Sequence, residues 1–197
     1  PALKKEFSSY NNLSADAQTA LQIMQYVGGA SFIGSKIKLA LNQANPDYAT
    51  AAYELAFDTA FLTYAKSGLN NYIAYENRCL LAASIMLGLE PITNGNNFIT
   101  GFVNMDSNNG TLVKFMQEVT KNYADLAVYF NLSSNAGSPA QTFFNSVQSY
   151  LATQGYYVPL ATDTWDSIAT QHLNAVSLSA VTLREINSAL PGSSLKA

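Results

Sequence analysis

Charge is what this chain has least of. Only 12% of its 197 residues are Asp, Glu, Lys or Arg, about half the usual share of a globular chain. Solubility therefore rests on Asn, Ser, Thr, Gln and Tyr. Such a surface suits a subunit largely covered by neighbours, because few charges then need desolvating; plain compositional habit gives the same pattern. The formal net charge is −3 and the densest basic spot is "KKEF" at the start. Nucleic acid is thereby excluded as a partner, since neutralising several phosphates needs a basic stripe.

Other absences narrow the chemistry. A single cysteine, Cys79, excludes an internal disulfide, and its place in "CLLAASIML" reads as a buried small hydrophobe. The sole histidine, His172, removes any two-His metal site and leaves Ser/His or Cys/His mechanisms without a base arrangement. It reads more simply as a dipole partner near a helix C-terminus. "GGASFIGS" follows no strand and lacks the Lys that grips phosphate, so it is no phosphate loop. No cofactor or metal is expected. No apolar run approaches the ~20 residues of a membrane span. The start shows no charged segment leading into an apolar one, so no signal peptide is expected, and Pro1-Ala2 reads as the product of cytoplasmic Met removal.

Hydrophobic residues make up 48% of the chain, enough for a real core, and their spacing is dominated by helical periodicity. "LSADAQTALQIMQYVGG" offers Ser14 as N-cap, apolar Ala17, Leu21, Met24 and Val27, and a Gly28-Gly29 stop. "SFIGSKIKLALNQAN" reads as a helix from Ser31 that ends before Pro46. The next segment carries Pro46 in its first turn and stops at Gly68. "NNYIAYENRCLLAASIMLG" is apolar on most faces after Arg78 and should be the most buried helix. Pro91, Asn94-Gly95 and Asn109-Gly110 then bracket "NFITGFV", a short candidate strand. Two further helices follow, the last opening at Ser138-Pro139 and closing on Gly155. The expected fold is mainly α, with a helical domain over 1–155 and a small module over 156–197. The one clear β pairing is expected between Tyr156–Pro159 and Ser193–Lys196.

From Leu13 to Leu87 the order of features resembles the C-terminal lobe of the phage-type lysozymes. The pieces that carry it are "AQTALQIMQYVGGASFIGSKIKLAL", "DYATAAYEL" and "SGLNNYIAYENRCLL", with Glu76 at the family's offset from Gly68. The departures bear on activity. Tyr72 and Ile73 stand where family members carry an Arg pair. The catalytic Glu, hairpin Asp and Thr should lie upstream, yet Glu6, Asp16 and Thr19 have no hairpin between them. Glu90, with Asp106 and Thr111 beyond, is an outside candidate for the carboxylate pair that glycosidic hydrolysis needs. A Glu at a helix end ahead of Pro91 is ordinarily a solvated surface group.

Residues 156–197 resemble a LysM module, a βααβ unit. The motif pieces are Tyr156 and Val158, Asp163-Thr164, "SIA" from Ser167 to Ala169, "LREIN" from Leu183 to Asn187 and "PGSSL" from Pro191 to Leu195. The resemblance implies that Asp163 caps the first helix, that Trp165, Ile168, Leu183 and Ile186 anchor a small core, and that Asp163, Thr164 and Asn187 border the ligand loops. The loops depart from pattern: one extra residue follows Val158, and Thr162 replaces the usual Gly.

Together these readings imply a non-enzymatic structural subunit of a phage particle, a tail or baseplate adaptor made in the host cytoplasm and held in an oligomeric assembly by other virion proteins. A peptidoglycan-binding or muralytic protein that holds glycan chains is the first alternative. A bacterial helical interaction domain is the second.

Overall fold

Local capping signals set the helix boundaries. A computed structural model of the chain describes residues 2–30, 33–57, 72–94, 99–102, 109–122, 126 and 139–153. Seven α-helices lie in these segments: α1 Ala2–Glu6, α2 Ala15–Gly28, α3 Ser35–Leu41, α4 Tyr48–Phe57, α5 Tyr72–Met86, α6 Asn109–Lys121 and α7 Pro139–Thr153. A 3-10 turn at Tyr10–Asn12 joins α1 to α2. The mainly helical expectation holds for these residues.

At α2 the Ser14 hydroxyl accepts from the Ala17 N–H at 3.1 Å, the N-cap read from the sequence. The helix ends at Gly29, whose φ of +85° is a backbone state that side chains disfavour. Ala17, Leu21 and Met24 are buried as expected. The next two starts need correction. α3 begins at Ser35 behind Gly34, not at Ser31, which lies outside the described residues. α4 begins at Tyr48, beyond Pro46, because Asp47 is the capping residue. Its Oδ1 accepts from the Thr50 N–H at 3.1 Å and its Oδ2 from the Thr50 hydroxyl at 2.9 Å.

Helix α5 is the hub. It packs against α2, α4 and α7 and touches the strand that follows it. Cys79, Leu80, Ala82, Ala83 and Met86 are all buried, so its apolar faces turn in several directions, as expected of the central helix. It ends in a Schellman motif. The Leu89 N–H donates to the Ser84 carbonyl at 2.9 Å and the Gly88 N–H to that of Ile85 at 2.9 Å, with Gly88 at φ +72°.

The described β pairing corrects an expectation. Strands β1 (Pro91–Thr93) and β2 (Ile99–Phe102) form an antiparallel pair directly after α5, so pairing is not confined to the C-terminal module. Pro91 opens β1, where a missing ladder donor is tolerated. Opposite partners are Ile92↔Gly101 and Thr93↔Ile99, which leaves Thr100 as the extra residue of a bulge.

One aromatic cluster ties the later elements together. Phe143 of α7 meets Phe115 of α6 edge-on at 5.8 Å, Phe102 of β2 edge-on at 6.0 Å and Phe57 of α4 at 6.4 Å. Edge-to-face pairs of this kind add to the area they bury. They also seat α7 against β2, and that junction forms the cleft described next.

Candidate binding cleft

The acidic groups, first suspects for chemistry, mostly serve as fasteners between helices. Lys38 of α3 donates to Glu6 at the end of α1 at 2.6 Å, and this bond holds the Glu6 carboxyl below its usual range. Lys36 of α3 reaches Glu54 of α4 at 3.2 Å. Lys114 of α6 reaches Asp47 at 2.7 Å. Burial pushes the Asp47 carboxyl up, but the Lys114 ammonium, the Thr50 N–H and the Thr50 hydroxyl outweigh it and leave the group acidified. Glu76 of α5 is fully buried, and its Oε1 accepts from the Ala140 N–H at 3.1 Å. Pro139 takes the first position of α7, where its missing N–H costs nothing. Glu76 serves the next donor of that turn.

The hydrolytic candidates can be placed only in part. Glu90 is exposed, just past the Schellman turn. Thr111 is half-buried in α6. Asp16 is exposed in the first turn of α2, and the Thr19 hydroxyl donates back to the Ala15 carbonyl at 2.9 Å. Asp106 lies outside the described residues. So do Asp163, Thr164, Trp165, Ile168, His172, Leu183, Ile186 and Asn187, and with them the expected Tyr156–Pro159 pairing. Among the described residues no cluster of three His, Cys, Asp or Glu is placed to hold a metal ion. Among them, too, no helix is long and apolar enough to cross a membrane.

The hollows of the described surface include two of different size. The smaller, about 270 Å³, is bordered by Ser8, Ser9, Asn12 and Asn42. Its polar groups are largely engaged: Ser9 Oγ donates to the Leu41 carbonyl at 2.7 Å and Ser8 Oγ to Asn42 Oδ1 at 3.3 Å. The larger, about 490 Å³, opens between β2 and α7. Thr100, Gly101 and Phe102 form one wall, and Thr142, Asn145, Ser146, Ser149 and Tyr150 the other. No protein-family model, no curated protein and no solved structure matches the chain. The cleft therefore has to be read from its own chemistry.

Among the described residues that chemistry is neutral and hydroxyl-rich. The α7 wall is one helical face, spaced three and four residues apart, and the opposite face (Ala140, Phe143, Phe144, Val147, Leu151) is buried. The Phe102 and Tyr150 rings pack on the core and keep part of their surface in the open. The sequence reading placed this helix but did not single out its polar face. The signal was available in the repeat Thr142–Asn145/Ser146–Ser149, whereas the facing wall, some forty residues upstream, was not.

Proposed function

We propose that the chain is a non-enzymatic structural subunit of a phage particle, a tail or baseplate adaptor assembled through protein–protein contacts. The observation that carries the reading is the use of the acidic groups. Glu6, Asp47, Glu54 and Glu76 each bind a partner on another helix, which is the economy of a rigid scaffold, not of a paired-carboxylate active site. Glu90, the outside catalytic candidate, sits exposed beyond a helix end. Tyr26 and Leu39, 91% and 70% exposed, are large apolar side chains of the sort that contacts between subunits cover. The motif order supports the same reading: a lysozyme-like lobe without its catalytic half, then a LysM-like ending.

Native mass spectrometry of purified particles carrying this chain tests the proposal, paired with a turbidity assay on cell walls. The expected result is a fixed copy number in the particle and no clearing. Clearing that disappears in Glu90→Gln would replace the adaptor reading with the muralytic one.

A further inference from the structure

We propose that the cleft between β2 and α7 is a binding site for a neutral carbohydrate. The proposal does not depend on the assembly reading. Four observations converge on it.

The first is spare hydrogen-bonding capacity. Several hydroxyls on the other described helices are turned back onto the chain: Thr19 donates to Ala15, Ser84 to Leu81 and Thr120 to Met116. Among the described residues, the Thr142, Ser146 and Ser149 hydroxyls make no such bond. Asn145 Oδ1 accepts from Gln141 at 2.8 Å, which fixes the amide and leaves its two N–H donors for the cleft. The smaller hollow lacks this property, because its hydroxyls are engaged internally.

The second is charge. No Asp, Glu, Lys, Arg or His lines the cleft among the described residues. These residues offer no counter-charge to an anionic or cationic ligand, whereas a ligand made of hydroxyl and amide groups would find donors and acceptors along the wall. A site built to hydrogen-bond hydroxyls discriminates strongly, because an analogue lacking them strands its polar groups.

The third is the pair of rings. Phe102 is braced edge-on by Phe143, and Tyr150 stands on the other wall. Aromatic surface accepts the apolar C–H faces of a pyranose. The fourth is shape. About 490 Å³ lies within the range of small-molecule sites, and the bulge at Thr100 turns the β2 backbone beside it, as bulges near binding sites do.

Saturation-transfer NMR and calorimetric titration of the full chain provide the test. The probes are neutral oligosaccharides of glucose, galactose and N-acetylglucosamine, a uronic-acid oligosaccharide, and a Ser/Thr/Asn-rich peptide. Asn145→Ala and Ser149→Ala change exposed residues and should leave the fold intact. Each should weaken binding of the preferred neutral sugar about three- to tenfold, the equivalent of one lost hydrogen bond. Asn12→Ala in the smaller hollow should leave it unchanged. Several outcomes would overturn the proposal: no neutral sugar binding at millimolar concentration, equal or better binding of the uronic-acid probe or the peptide, or binding indifferent to Asn145→Ala and Ser149→Ala.

Discussion

Asp47 shows how much one short side chain can hold. It caps α4 through the Thr50 N–H and takes Lys114 from α6 on its other oxygen, so a local signal and a long-range contact meet on one carboxylate. Asp47→Ala removes both and should cost roughly 1–2 kcal/mol, about 1 for the cap and up to ~1 for the partly exposed ion pair. Asp47→Asn keeps the cap and should cost less than about 1 kcal/mol. The sign with pH follows from the acidified group. A carboxyl whose folded pKa lies below its unfolded value stabilises fully above that unfolded value, about 3.9, and loses the contribution as pH falls through the folded one. The gap in stability between the native chain and Asp47→Asn should therefore be constant near neutrality and close below about pH 4. Urea denaturation across that range measures it; a gap that widens in acid would contradict the assignment. The sequence pattern put Pro46 in the first turn because proline is a strong start signal. Asp47, one step on, is the residue whose side chain meets the free N–H.

At the scale of the element, the link between α5 and α7 rests on Glu76. Glu76→Ala deprives the buried Ala140 N–H of its acceptor and opens a void, a loss of about 2–4 kcal/mol. Glu76→Gln keeps an acceptor and should lose roughly 1 kcal/mol. Equal losses in chemical denaturation would mean that packing alone matters at this position. This role is not legible in the sequence, where Glu76 and Ala140 are 64 positions apart. Nothing local to either one announces the contact. What the sequence does announce is local: Ser14 before α2, Gly29 after it, Pro139 at the head of α7, and the apolar run of α5. The β1–β2 pair falls between these cases. Its turn residues were visible, yet the pairing of Ile92 with Gly101 depends on where α5 delivers the chain. The polar wall of the cleft follows the same rule, readable as a face of α7 but not as a site until β2 stands opposite.

For the molecule as a whole, charge scarcity and architecture are one design. Ten basic and thirteen acidic residues could not decorate the surface densely, and several of those described instead pin one helix to the next. Between them lies one continuous apolar core that runs from Leu3 and Phe7 to Val147 and Leu151. Helix α5 crosses its middle, with neighbours that come from before and after it in the chain. Its packing is shared among three helices, two from before it and one from after. Its amide hydrogens around Leu80–Ala83 should consequently trade with deuterium only when the entire fold opens, at a rate set by the global free energy. The amides of α1 and β1, at the margins, should trade through smaller openings that denaturant barely affects. Mass spectrometry after timed deuteration would resolve the two classes. A molecule arranged this way can be handled, pulled or crowded at its edges while its axis keeps a memory of the native state.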